Sequence, residues 1–424
     1  MAGLTRRQFG LITGASAAAL TLPTYLRAQD KPRVVVIGGG AGGATAARYI
    51  AKDSDGAINV TLIDDSEMFT TCFFSNLYVG GFRSFESITH SYDTLQSSYG
   101  ITKVTGRATG VDRAAKTVTM ADGSTIPYDR LVVSPGIDLI WDSVEGYSEE
   151  LSQTAPHAWK AGEQTKILKA GVDAIENGQQ ILMVAPPNPY RCPPGPYERA
   201  SMMAHVLKSK GLTDAKIIIL DPKDKFSKQG VFQEGWEKHY PGMIEWYGPD
   251  VHGGIESIDV KAGTVETGLD TFKGAFMNVI PAQKAGAIAA AAGLTNDSGF
   301  CPIDPTSMRS TVDDAIFVIG DACIAGDMPK SGFSANSQAK VAAMNVRADL
   351  VGSKVFPAKY ANTCWSLIET GDSIKVGAQY APGDGKIAST QGFISQMNEE
   401  DALRKANFEE SVGWYAGITA DMFG

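Results

Sequence analysis

The chain is 424 residues long, with 43% hydrophobic and 20% charged residues and a formal net charge of -9 at pH 7. That length exceeds what one core usually organises, so two or three domains are expected. The composition is that of an ordinary globular protein without a collagen-like glycine period, and the acidic balance argues against nucleic acid as a partner.

Residues 1–28 stand apart. Arg6-Arg7-Gln8-Phe9 precedes a mild apolar run rich in small residues, which ends near Tyr25-Leu26-Arg27-Ala28. Twin arginines before such a run read as a bacterial export signal for folded proteins; a flexible basic terminus is the plain alternative. Export of a folded protein predicts a periplasmic destination. The run is too short for a membrane span and no other span is found, so no integral membrane segment is expected in the mature chain.

Val34-Val35-Val36-Ile37 has the pattern of a buried parallel strand. Gly38, Gly40 and Gly43 follow in GxGxxG spacing, and a helix with small residues comes next. The first glycine permits a tight turn, the second lets the backbone approach a pyrophosphate, and the third lets the helix pack closely. The helix N-terminus supplies N–H groups to the anion. Val60–Ile63 is the next strand and ends in Asp64-Asp65. An acid there can accept from a ribose, with Asp64 preferred and Asp65 as the alternate.

Tyr128–Gly136 reads as a turn, a buried strand and a crossing out of the first domain. A second α/β unit is expected from 151, with strands at Gln180–Val184 and Lys216–Leu220. The loop after Val184 runs from Ala185 to Pro196 and holds six prolines and one glycine. Each proline removes an N–H donor, so this loop is poor at cradling phosphates. The unit keeps a nucleotide-binding architecture and is expected to have lost the dinucleotide. Ala315–Ile319 is a further strand, ending in Gly320-Asp321-Ala322. Asp321 can accept from a polyol chain, which favours FAD at the first glycine turn. A helix near Ser337–Leu350 would direct its N-terminus at that cofactor.

The fold class expected is therefore α/β, with two Rossmann-like domains and a C-terminal α+β interface domain. The expected boundaries are 29–150 with 271–354 for FAD, 151–270 for the degenerate NAD-like unit, and 355–424 for the tail. The tail shows short strands near Ile374–Tyr380 and a helical stretch near Glu399–Lys405.

Five cysteines occur, Cys72, Cys192, Cys301, Cys323 and Cys364, with no CxxC or CxxCH spacing. The five histidines do not cluster, so no metal site is expected. Cys301 and Cys323 could pair but read more simply as structural thiols.

Four segments carry a resemblance. They are Thr71–Asn76, Arg191–Arg199, Met328–Gly332 and Asn362–Ser366. The chain resembles the flavoprotein subunit of flavocytochrome c sulfide dehydrogenase over nearly its whole length after the leader. It is similar, more distantly, to sulfide:quinone oxidoreductases and glutathione-reductase-like enzymes. The resemblance implies a glutathione-reductase-like fold with FAD covalently linked to Cys72. It implies a redox-active disulfide between Cys192 and Cys364, with Glu198 beside it as a proton-handling group and Trp414 near the flavin. Lys330 would place charge near the reduced flavin. Without the resemblance, Glu198 is a surface acid, Trp414 a packing residue and Lys330 a solvated lysine.

The implied activity is periplasmic oxidation of sulfide to sulfur or polysulfide. The implied partner is a c-type cytochrome, which holds the haem c that this chain cannot attach. Two rivals remain: a sulfide:quinone oxidoreductase, and an FAD-containing electron-transfer or redox-chaperone subunit without sulfide turnover.

Overall fold

The structure, a computed structural model, describes residues 31–424. The expected export signal at 1–28 lies outside these residues.

The first sheet is five-stranded and parallel. Its order is Ile316–Val318, Arg130–Val133, Arg33–Ile37, Asn59–Asp64 and Thr102–Thr105. The strands Ile316–Val318, Arg130–Val133 and Arg33–Ile37 are mostly apolar runs, buried under helices and other segments packed on the sheet. Two of these helices, Ala41–Asp53 and Gly332–Val351, pack against one another through alanines such as Ala44, Ala47, Ala339 and Ala343, all fully buried. Small side chains permit that close approach, and Asn336 Nδ2 donates across it to Thr45 Oγ1 at 2.9 Å. The third glycine of the turn is required: a Cβ at Gly43 would collide with the Gly38 carbonyl oxygen. Gly38 itself sits at φ +96°, in the region that side chains disfavour.

The second sheet is four-stranded and parallel, in the order Ile244–Tyr247, Lys216–Leu220, Gln180–Val184 and Phe276–Val279. The last strand corrects the boundary expected at 271. Phe276–Val279 pairs with Gln180–Val184 in the second sheet, and only then does the chain leave it. The polar Asn278 breaks the apolar run of that strand. It is buried because Arg199 Nη1 donates to its Oδ1 at 3.2 Å.

The tail is larger in structure than its sequence suggested. Tyr360–Glu369, Asp372–Gly383 and Lys386–Ile394 form an antiparallel sheet, and Asp401–Phe423 is one long helix. The strand Tyr360–Glu369 was not expected because its buried positions include Asn362 and Ser366. The helix was expected to be one short stretch. Its buried face carries Arg404, Asn407 and Ser411 before the apolar Ile418 and Met422, so hydrophobic periodicity is absent from its first half. Nor does the tail stand as a separate unit. Tyr49 donates to Asp421 at 2.9 Å, and Lys228 donates to Ser366 Oγ at 2.9 Å.

Candidate functional site

The first sheet ends at a cavity of about 650 Å³, lined by Gly38, Gly40, Asp64, Cys72, Asp321 and Gly332 among others. The chain turns at Gly38–Gly40 and enters the helix at Ala41, which directs N–H groups toward the cavity. Asp64 closes its strand. Its Oδ2 accepts from Gly39 N at 2.6 Å and its Oδ1 from Ser66 N at 3.0 Å. Burial raises the Asp64 carboxyl above the usual carboxylate range, and these two hydrogen bonds oppose the rise. Asp65 lines the same cavity, and its Oδ1 accepts from Ser66 Oγ at 3.4 Å.

On the opposite wall, Asp321 Oδ2 faces Arg191 Nη1 at 3.4 Å, and Asp321 Oδ1 is buried without a partner. The helix behind it begins at Gly332, earlier than expected, and is capped by Ser331, whose Oγ accepts from Ser334 N at 3.0 Å.

A second, smaller cavity of about 90 Å³ adjoins the first. Cys72, Phe73, Arg191, Ser331 and Gly332 line both. Cys192, Cys364, Glu198 and Trp414 line the smaller one. Cys192 sits in the proline-rich loop at φ +58°, held by its N–H donating to Lys330 O at 2.8 Å. Gly195 is required beside it, since a Cβ there would lie 2.8 Å from the Trp159 ring and 3.0 Å from Cys192 Sγ. Cys364 lies on the strand Tyr360–Glu369, and Asn362 Nδ2 donates to its Sγ at 3.5 Å.

Glu198 projects from the helix Gly195–Ser209. Its two oxygens accept from Asn76 Nδ2 and Leu367 N, each at 2.9 Å. Burial pushes its carboxyl upward against those bonds. Trp414 belongs to an aromatic cluster, with ring centroids 5.1 Å from Trp365, 5.6 Å from Phe73 and 5.8 Å from Phe333.

All five cysteines are free thiols in this structure. The disulfide expected between Cys192 and Cys364 is therefore absent as a bond, although both residues line one cavity. Cys301 and Cys323 are neighbours across an isolated parallel bridge, fully buried, with thiols pushed up to about 12 chiefly by burial. Neither lines the thiol cavity.

In the second sheet, Asp221 follows the strand Lys216–Leu220, where a nucleotide ribose would seek an acceptor. Asp221 has no exposed surface. Tyr197 OH and Trp246 Nε1 donate to its Oδ2 at 2.6 and 2.9 Å, and Lys223 pairs with its Oδ1 at 2.6 Å.

Comparison with known proteins places these features. Residues 165–281 match the family described as sulfide dehydrogenase [flavocytochrome c] flavoprotein chain, central. Residues 357–423 match flavocytochrome c sulphide dehydrogenase, flavin-binding, and residues 32–169 match pyridine nucleotide-disulphide oxidoreductase. The sulfide dehydrogenase [flavocytochrome c] flavoprotein chain of Chlorobaculum thiosulfatiphilum is 54% identical over 44 residues, covering 10% of this chain and 90% of that one. This chain belongs to that flavoprotein family.

Other relatives bound what membership implies. The sulfide-quinone reductase of Aquifex aeolicus is 33% identical over 182 residues, which span 42% of this chain and only 40% of that protein. A solved structure of the sulfide:quinone oxidoreductase from Aquifex aeolicus superimposes with a TM-score of 0.69 at 19% identity, covering 92% of each chain. That likeness shows the fold, which is the glutathione-reductase-like one expected.

The flavoprotein chain has residues that fit FAD. The glycine turn would hold a pyrophosphate, and Asp64 would accept from a ribose. The unpartnered Asp321 Oδ1 awaits a hydroxyl donor of the kind a ribityl chain carries.

Lys330 departs from expectation. Its ammonium donates to the carbonyls of Asp321 and Cys323, each at 2.8 Å, and lies 3.9 Å from the Phe300 ring centroid. The short turn at Gly320–Ala322 leaves those carbonyls in need of donors, so the side chain lines neither cavity.

Sequence reasoning missed Asn76, Arg199, Lys228 and the side chain of Asn362 as parts of this site. Asn76 and Asn362 stood inside the quoted cysteine segments, where a buried amide beside a thiol was the available signal. Arg199 closed the quoted segment Arg191–Arg199 without any mark of burial, and Lys228 carried no signal, because a buried cation is indistinguishable in sequence from a solvated one.

Proposed function

We propose that this chain is a sulfide dehydrogenase flavoprotein that oxidises sulfide through a Cys192–Cys364 disulfide. In this reading FAD is attached to Cys72, and a c-type cytochrome takes the electrons in the periplasm. One observation carries the reading: Cys192 and Cys364 line a small cavity that shares the Cys72 wall with the large glycine-turn cavity. Family membership supports sulfide as the substrate.

Hydrosulfide enters the small cavity and attacks one sulfur of the disulfide, as any sulfur nucleophile does in exchange. The bond between the cysteines breaks, leaving a persulfide on one and a thiolate on the other. Glu198, held by Asn76 and Leu367 N, is placed to accept or return the proton. The aromatic cluster around Trp414 limits water at the cavity wall. FAD, when bound, supplies a two-electron acceptor that releases electrons singly. The enclosed Asp221 supports loss of pyridine-nucleotide use in the second sheet.

Quinone is the second reading for the acceptor, favoured by the match to the Aquifex aeolicus reductase. Among the described residues no helix is long and apolar enough to cross a membrane. The test reduces the purified flavoprotein with sulfide, then offers the cytochrome co-purified from the native source or a soluble quinone. Faster haem reduction supports the proposal, and faster quinone reduction replaces the acceptor. Failure of sulfide to bleach the flavin rejects the function. Acid precipitation of the same preparation reads the link: yellow colour left wholly in the supernatant rejects attachment at Cys72.

A further inference from the structure

Lys228 lies behind the thiol cavity at the start of the helix Gln229–His239. It is 5% exposed and adopts φ +64°, a conformation unfavourable for a lysine. Its ammonium donates to Ser366 Oγ at 2.9 Å, to the Cys364 carbonyl at 3.3 Å and to the Ile374 carbonyl at 3.5 Å. Among the described residues no carboxylate lies within ion-pair distance of it; its hydrogen-bond partners are neutral, and Glu198 is the carboxylate that faces it. Such a charge is costly unless an anion forms nearby.

The sulfur of Cys364 has a fixed hydrogen-bond donor of its own. Asn362 is 2% exposed and donates through Nδ2 to Cys364 Sγ at 3.5 Å. The amide cannot turn freely, because its Oδ1 accepts from Ser331 Oγ at 2.6 Å. Ser331 is itself fixed as the cap of the helix Gly332–Val351. No side chain donates a hydrogen bond to the Cys192 sulfur among the described residues; it sits in the proline loop beside Trp159 and Gly195, and the cations that face it are Arg191 and Arg199.

We infer that Lys228 and Asn362 stabilise negative charge on Cys364, which makes Cys364 the leaving thiolate and Cys192 the sulfur that receives sulfide. The inference rests on the disulfide reading above and adds positioning residues and a direction to it. Hydrosulfide forms a bond to Cys192 Sγ, and the Cys192–Cys364 bond breaks with its electron pair going to Cys364. The incoming sulfur is oxidised to the sulfane level, and the disulfide is reduced. The proton stays on the terminal sulfur or passes to Glu198.

The charges at Cys364 agree with this direction. Burial raises both thiols, Cys192 the more strongly, and Asn362 and Lys228 oppose the rise at Cys364. Glu198 from the helix Gly195–Ser209 acts against ionisation of either thiol. Tyr380 faces Cys364 from the neighbouring strand, and Arg404 of the last helix faces Lys228.

The test uses full-length, FAD-loaded protein. In a Cys192→Ser background, alkylation of Cys364 by iodoacetamide is followed by mass spectrometry across a pH series. Lys228→Met is expected to slow alkylation near neutral pH about tenfold and move its pH midpoint upward by about one unit. Lys228→Arg, which keeps the charge, restores most of the rate. Asn362→Leu shifts the midpoint in the same direction by less.

A folded Lys228→Met protein with normal FAD content and an unshifted profile overturns the inference. Where that variant does not fold, Asn362→Leu decides by the same readout: a shift supports the inference and a coincident profile overturns it. With oxidised wild-type protein and sulfide, the persulfide is expected on Cys192, and a persulfide on Cys364 alone overturns the direction. If sulfide never bleaches the wild-type flavin, the proposed function fails, while the alkylation profile still judges the charge on Cys364.

Discussion

Glu198 and Arg199 are neighbours on one helix and face different demands. Arg199 is 2% exposed and donates to Asn76, Asn278 and the carbonyls of His157 and Ala158. It anchors Asn76, and Asn76 in turn donates to Glu198. Burial holds the Glu198 carboxyl above its ordinary value of 4.5. The folded protein therefore keeps that proton to higher pH than the unfolded chain does. Its contribution to stability is complete below 4.5 and declines as pH rises through the folded value. Glu198→Gln removes the titration. The stability advantage of wild type over Glu198→Gln should be larger near pH ~5 than near pH ~8, as read by urea unfolding. An advantage that is constant, or that grows with pH, contradicts the assignment of a raised carboxyl.

At the scale of elements, legibility followed hydrophobic pattern. The strands Arg33–Ile37, Gln180–Val184 and Lys216–Leu220 were readable because both faces of a parallel sheet demand apolar residues. The strand carrying Cys364 was not, since Asn362 and Ser366 fill its buried positions, where they bond the Cys364 sulfur and the Lys228 ammonium. The long final helix was hidden for a related reason. Its inward Arg404 is 5% exposed and bonds Asp372 Oδ1 at 2.6 Å, where a periodic reading looks for leucine. That pair fastens the helix to the antiparallel sheet. Arg404→Met should destabilise the fold by about 3 kcal/mol or more, because it strands a buried carboxylate. His239, 2.7 Å from the other Asp372 oxygen, keeps the loss from being larger. Denaturant midpoints should show the double variant Arg404→Met, Asp372→Asn recovering part of the loss. A double variant no more stable than the single one would mean that the carboxylate is not the source of the cost.

The whole molecule repeats one architecture twice and treats the two copies differently. The first sheet opens onto a large cavity with an unsatisfied acceptor at Asp321. The second closes over Asp221, its counterpart of Asp64, with Tyr197, Trp246 and Lys223 gathered on that acid. The proline count of the loop made its shortage of N–H donors for a phosphate readable in sequence. The capture of Asp221 was not, because its partners lie up to 25 residues away in the chain. Rapid mixing with NADH should leave the flavin oxidised over the time in which sulfide bleaches it. Bleaching by NADH at a comparable rate would show that a nucleotide still enters the second sheet.

The thiol cavity offers about 90 Å³, room for roughly three water molecules at about 30 Å³ each. A pocket for a drug-sized ligand runs from about 300 Å³ upward. Size alone then acts as a sieve on the nucleophile. Hydrosulfide fits that volume with space to spare, whereas a peptide thiol such as glutathione is too large to enter it whole. The chamber therefore favours small sulfur nucleophiles by size, with no group needed to recognise them.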